Sequence, residues 1–440
     1  MSRSAALGRR GIFVLASVTI VAVAAWLGPI VQADDTASTT GNKKIDALVA
    51  LGHKFIGTSS CQSCHGNPAA PAGQPLADMS ESSVWSTLDK HHTAYATLQT
   101  DQSKAIATKG GYGDPSSSTK CLSCHSLNVP ADSRGPDFKL SDGVSCEACH
   151  GPAELWSGSD GSPHKTKGWA EKRREADGYD PKAKAADDGF WDVRIVGLRA
   201  ENCASCHLAI DAKMIAAGHP QPAFELNEYA YEEPAHWNDK HSDQYYCQLW
   251  AAGQIVCTRD AMAELAKRVG EGDSADLITD EYNQAMAHAS MLQILVDDPN
   301  GVGSEVKDAV DKDVAALAGA GGDGSKMKDP ATDLSTQAQA ILTNDLSGFT
   351  PDAGATGGFL DKVTGMEDTL AKTYGRRGAE QAVYAARWLY LSKTWDTDPK
   401  HELPDDLIAE YKSFFDNRAA PLGDDAAKFA DAITKIKGNP

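Results

Sequence analysis

Four short segments of this 440-residue chain repeat one pattern, Cys-x-x-Cys-His. They are Cys61-Gln-Ser-Cys64-His65, Cys121-Leu-Ser-Cys124-His125, Cys146-Glu-Ala-Cys149-His150 and Cys203-Ala-Ser-Cys206-His207. Two thiols three residues apart, followed at once by an imidazole, are the constellation that attaches a c-type haem. The thiols form thioethers to the porphyrin edge, and the histidine supplies one axial ligand to the iron. Cys61, Cys64, Cys121, Cys124, Cys146, Cys149, Cys203 and Cys206 therefore read as haem-binding, and His65, His125, His150 and His207 as metal ligands. The implied cofactors are four covalently bound haem c groups, each with its iron, and the implied chemistry is electron movement. With 10 Cys and 13 His in the chain, chance would supply about 0.007 copies of the pattern. Zinc knuckles also use Cys-x-x-Cys pairs, but they do not require His at the next position every time. A thioredoxin-like motif would be a single copy in a βαβ setting.

Each iron has a second axial position. A haem held by two histidines is closed and suits electron transfer, whereas a five-coordinate haem can bind a small molecule. Nine histidines remain for this role: His53, His91, His92, His164, His219, His236, His241, His288 and His401.

The N-terminal residues point to export. Arg3, Arg9 and Arg10 precede an apolar run from Ile12 to Leu27, and Val31-Gln32-Ala33 fits a small-residue cleavage site. Residues 1–33 are expected to be a signal peptide and the location periplasmic. A membrane is a partner only if that segment is retained as an anchor. The formal net charge is −19. Removing the first 33 residues, which carry three arginines and no acid, would leave −22. Such a surface excludes nucleic acid, whose phosphates need clustered Lys and Arg. It suits docking on basic patches of redox proteins, as electron donor and acceptor.

The elements that must position the motifs fall into two regions. Residues 34–45 read as a disordered polar lead. Residues 46–257 hold all ten cysteines and are rich in Gly, Pro, Ser and Asp. Haems replace side chains as the core there, so a loop-rich multihaem cytochrome c core with short helices is expected. About 40 residues per haem is too few for separate domains, so the haems must share one core. Residues 258–440 contain no Cys and carry 32 acids against 19 bases. Phe359, Val363, Met366 and Leu370 recur at helical spacing, as do Tyr384, Trp388, Leu391 and Trp395. Gly375, Arg376 and Arg377 lie between these stripes and mark a break. A Gly/Asp-rich stretch over 317–333 reads as a flexible connector. The fold class is mainly α, with this acidic helical domain C-terminal to the haem core. Cys247 and Cys257 lie outside the motifs, and export favours a disulfide between them. On one continuous helix they would be about 15 Å apart, too far for that bond.

Four segments resemble the multihaem cytochrome c-554-type family. They are Asp89-Lys-His91-His92-Thr-Ala94-Tyr95; Gly143-Val-Ser-Cys146-Glu-Ala-Cys149-His150-Gly151-Pro152 with His164 beyond it; Cys203-Ala-Ser-Cys206-His207 leading to Ala217-Gly218-His219-Pro220 and Phe224-Glu225-Leu226; and His236-Trp237 followed by Trp250-Ala-Ala-Gly253-Gln254. The resemblance implies that His91, His164 and His219 are distal ligands. By the family pattern His91 serves the third haem, His164 the fourth and His219 the first. The chain departs from the smallest family member in having no His between His125 and Cys146. In that family type the second haem can be five-coordinate, and no obvious ligand remains near His125, so the haem of Cys121, Cys124 and His125 is the expected open site.

The expectation is a periplasmic tetrahaem carrier passing electrons between redox partners, with nitrogen-compound oxidation or reduction as a context the resemblance suggests. The competing expectation is an enzyme acting on a nitrogen oxide or peroxide at the open haem, and a third is a subunit docked through residues 258–440. The oligomeric state is not set by the sequence.

Overall fold

The structure is a computed structural model. It describes residues 38–70, 76–157, 162–166, 168–176, 178–237, 244–343, 346–396 and 403. The expected signal peptide lies outside the described residues, as do His241 and His401. The described residues belong to one compact unit.

As expected, the fold is mainly α. Only an isolated bridge, Phe55 with Arg134, represents extended pairing among the described residues. The first part is a series of short helices: α1 (Lys43–Val49), α2 (Thr58–His65), α3 (Glu81–Leu88), α4 (Lys90–Thr97), α5 (Asp101–Gly110) and α6 (Thr119–His125). It continues with α7 (Cys146–His150), α8 (Trp169–Arg174), α9 (Pro181–Asp188), α10 (Val196–His207), α11 (Ala212–Ala217) and α12 (Leu226–Glu232). Their starts carry side chains that occupy otherwise unpaired N–H groups: Asn42 for α1, Asp89 for α4, Asp180 for α9 and Asp211 for α11. The second part is long helices: α13 (Tyr245–Glu271), α14 (Ala275–Asp297), α15 (Lys307–Gly319), α16 (Lys328–Thr343) and α17 (Ala353–Thr394). No described helix is long and apolar enough to cross a membrane.

The apolar core is unequally shared. One cluster joins α13, α14, α16 and α17 and reaches back to Leu208, Phe224 and Leu226. Among the described residues, the segment bearing the motifs adds two small clusters, around Phe55 and around Trp156. Helix α13 packs on α14, α16 and α17 and also on α10 and α12. Gly253 permits this, since a Cβ there would come within 2.9 Å of the Leu226 side chain.

Four expectations change. The lead is not disordered throughout: Thr40 and Asn42 are buried and α1 begins at Lys43, because their polar groups are hydrogen-bonded into the motif region. The 257/258 border falls inside α13. The stretch 317–333 is mostly the ends of α15 and α16 with a 3-10 turn at Gly324–Lys326, a tight reversal between packed helices. Cys247 and Cys257 are both free thiols, buried on the same continuous helix, so its rise keeps them apart. The break between the two aromatic stripes is present. Gly375 interrupts α17 with φ 59° and ψ −139°, a conformation open to glycine.

Candidate functional site

Every Cys-x-x-Cys-His motif is the C-terminal end of a helix: α2, α6, α7 and α10. Helical spacing explains this. Residues i, i+3 and i+4 share a face, so both thiols and the imidazole project to one side. The helix then stops, by Gly66 after α2 and by Gly151 (φ 80°) after α7. A Cβ on Gly151 would collide with the Gly189 carbonyl oxygen.

The structure brings a second histidine to three of the four motif histidines. His164 Nε2 stands 3.4 Å from His65 Nε2, somewhat less than two metal–imidazole bonds of about 2 Å each. The His91 and His207 ring centres are 6.0 Å apart, and those of His125 and His219 are 6.3 Å apart. A ring lies beside His150 too, but it is Phe190, parallel to it at 6.4 Å. The placement corrects the expected pairing. His164 meets the first motif, not the fourth; His91 meets the fourth, not the third; His219 meets the second, not the first. The site of Cys121, Cys124 and His125 is therefore not the one left without a partner imidazole.

The reasons are local. His164 is wedged between Trp156 and Trp169, at 5.2 and 6.2 Å, and that aromatic group packs on Ile56 just before α2. His91 touches the third motif only by its backbone. Its carbonyl accepts from Val144 N at 3.0 Å, and Gly143 (φ 71°) permits the approach, since a Cβ there would meet that oxygen at 2.5 Å. The His91 ring points away, toward α10. His219 rides on α11, which packs on α5 and is tied to α6 by the Lys120–Asp211 ion pair at 3.1 Å.

Partners on Nδ1 orient the rings. His65 Nδ1 meets Glu81 Oε2 at 2.7 Å and His91 Nδ1 meets Asp89 Oδ1 at 3.1 Å. His125 Nδ1 faces the Ala94 carbonyl at 3.1 Å, and His219 Nδ1 the Pro220 carbonyl at 2.7 Å. Each contact leaves Nε2 as the free ligand atom, the arrangement that metal-bound histidines use. The Glu81 hydrogen bond raises the His65 pKa. Burial lowers those of His150, to about 3, and His207, to about 4, which keeps both imidazoles in the neutral, metal-binding form.

The thiols of different motifs are neighbours. Cys61 and Cys146 lie within hydrogen-bonding reach of each other, as do Cys124 and Cys206. Asn202 Nδ2 is 3.2 Å from Cys149 Sγ, which joins the third motif to α10. A cavity of about 910 Å³ opens among the thiols and imidazoles of the second and fourth motifs, near His91 and His219. Thiols on one face of a helix, opposed imidazoles and this cavity fit haem c.

Sequence reasoning missed three residues here. Asn42 donates to the Ser123 carbonyl at 3.2 Å and lies 3.3 Å from Cys206 Sγ, bridging the second and fourth motifs. The buried Glu147 accepts from Ile56 N, Gly57 N and Ala153 N, each at 2.8 Å. Burial raises its pKa against the opposite pull of those amides. Glu81 was silent as well, since a carboxylate sixteen residues from its histidine has no sequence signature.

No curated protein and no solved structure matches the chain. Residues 60–151 match the model of the family described as cytochrome c554 and c-prime. The match covers the first three motifs and His91, and over that stretch the chain is similar to c554-type cytochromes, a likeness that implies covalently bound haem c and electron transfer.

Proposed function

We propose that the chain is an exported, periplasmic tetrahaem c-type cytochrome that carries electrons between redox proteins, with nitrogen-compound oxidation or reduction as its context. One observation carries this reading. Three of the four motif histidines face a second imidazole, a pair that would hold a haem iron from both sides, close it to substrates and suit it to electron exchange.

When bound, each haem supplies an iron that takes up and releases one electron. The protein sets the order. Cys61 beside Cys146 joins the first motif to the third, and Cys124 beside Cys206 joins the second to the fourth. Asn202, on the helix that ends in the fourth motif, reaches Cys149 and so joins the third to the fourth. With haems bound, these neighbourhoods would order electron passage as first, third, fourth, second. His65, His91, His125 and His219 are held in orientation by their Nδ1 partners, so little rearrangement accompanies each electron.

A pyridine haemochrome assay on the purified full-length protein is expected to count four haems. All four should reduce rapidly with a partner or mediator, without turnover of hydroxylamine, nitrite or peroxide. Fewer than four haems, or steady turnover faster than partner reduction, would overturn the proposal. Fractionation of the native host tests location, and the protein should appear in the periplasm with residues 1–33 removed.

A further inference from the structure

We infer that Arg173, with Trp156 and Ser162, holds a propionate of the haem gripped by His65 and His164. This rests on the tetrahaem reading above and adds to it the groups that fix and tune one of the four haems.

Thioethers and axial ligands leave the two propionates of a haem c as free carboxylates, which need donors wherever they are buried. Beside His164 the chain offers buried donors that lack an acceptor. Arg173 Nε, Arg173 Nη2, Trp156 Nε1 and Ser162 Oγ are shielded from solvent and have no hydrogen-bond partner among the described residues. Ser162 is 4% exposed, Trp156 7% and the Arg173 side chain 8%. Buried polar groups are nearly always paired, and a guanidinium cannot shed its proton to escape the cost.

Rings gather these donors around the ligand. Trp156 stands edge-on to His164 at 5.2 Å and to Phe190 at 5.1 Å. Trp169 stands edge-on to His164 at 6.2 Å and to Phe190 at 5.1 Å. The Arg173 guanidinium lies over Trp169 at 5.1 Å and over Phe190 at 5.4 Å. Ser162 comes two residues before His164, whose N–H donates to the Trp156 carbonyl at 3.1 Å. All three side chains thus border the aromatic group that carries His164 to His65.

The protein's own acceptors are engaged otherwise. Asp188 takes Nη1 of Arg173 and the N–H of Phe190. Asp192 accepts from Arg174 at 2.9 Å and from the Tyr179 hydroxyl at 3.2 Å. Tyr179 comes close enough to act on Arg173, but not in hydrogen-bond geometry to Nε or Nη2. Those two nitrogens form one edge of the guanidinium, and two parallel N–H groups are the fork that grips a carboxylate through both oxygens. The third haem is the rival source of that carboxylate, because Phe190 also lies parallel to His150 at 6.4 Å. Trp156 and Ser162 favour the first haem, since both are tied to His164.

The test uses the full-length, haem-loaded protein, with haem counted by pyridine haemochrome and each haem followed by EPR-monitored redox titration. His164→Ala marks the first iron by removing its low-spin signal. A cation at the haem edge favours the ferrous state, which carries one positive charge fewer. Arg173→Gln should therefore lower the potential of the first haem, leave the other three in place, and shift the propionate bending mode in resonance Raman. Arg173→Lys should keep part of the wild-type potential. Trp156→Phe retains a ring and loses the donor, so it should shift the same Raman mode. An Arg173→Gln protein with four haems, the wild-type potential and an unmoved mode would overturn the inference. So would a shift at any haem other than the first. If Arg173→Gln loses haem, Trp156→Phe decides, and an unmoved mode there overturns the inference. Added phosphate or sulfate should leave the wild-type potential unchanged, and a shift would hand these donors to a free anion and overturn it too. A wild-type count below four would overturn the tetrahaem reading, and this assignment with it.

Discussion

Glu147 is spelled into the third motif but serves the first. Its carboxylate collects the N–H groups of Ile56 and Gly57, which lead into α2, together with that of Ala153. Removing it strands three amides in a buried setting, at about 1–3 kcal/mol for a buried donor left without a partner. Glu147→Ala is therefore expected to destabilise the haem-loaded protein by at least about 3 kcal/mol, read from its denaturant midpoint. An unchanged midpoint would show that the contact is dispensable. At this scale the motif residues were legible, because attachment chemistry demands a fixed spacing. The pairing of imidazoles was not. His164 follows the third motif in the chain yet meets the first, because Trp156 and Trp169 carry it there. His91 was assigned to the third motif by the family pattern, but only its carbonyl reaches Val144 ahead of that motif while its ring lies beside His207. Spacing encodes what one helix turn can do, whereas ligands across an iron are chosen by how separate helices pack.

Among the elements, α13 and α17 carry the sharpest expectations. Helix α17 turns at Gly375, whose φ of 59° and ψ of −139° lie in a region costly to any side chain. Gly375→Ala should cost about 1–3 kcal/mol, measured by thermal unfolding. A variant as stable as the parent would mean that the turn relaxes freely. On α13, Cys247 and Cys257 are free. Thiol titration of the denatured haem-loaded protein should find two reactive thiols, and a reductant should leave the melting temperature where it was. Finding none would restore the disulfide. Aromatic stripes announced α17 and its break correctly, since periodicity survives in sequence wherever one face is buried. The short motif helices carry little periodicity, because the groups they are built around are not amino acids.

For the molecule as a whole, a chain of side chains ties the long helices to the fourth motif. His288 Nδ1 meets Gln254 Oε1 at 2.8 Å, Gln254 donates to Gln381 Oε1 at 3.3 Å, and Gln381 donates to the Phe224 carbonyl at 2.9 Å. Burial, and then the charge of Arg377, lower the His288 pKa to about 3, against about 6.5 in the unfolded chain. Between those values only the unfolded chain takes the proton. The stabilisation is complete above about pH 6.5 and is lost as pH falls toward 3. Replacing His288 by Gln should flatten the decline in stability between about pH 6.5 and 5 by about 1 kcal/mol per pH unit. Denaturant curves across that range would show parallel declines if His288 were protonated within the fold.

Helix α13 has a consequence for the history of the chain. Segments acquired by joining two genes meet at exposed loops, where a break in the backbone is tolerated. Here the last cysteine sits midway along a buried helix, with Trp250, Ile255 and Val256 before it and Ala261, Met262 and Leu265 after it, all fully enclosed. There is no seam at that point for a later addition. A chain shortened to the cysteine-rich half would have to rebuild the surface against which α10 and α12 now pack.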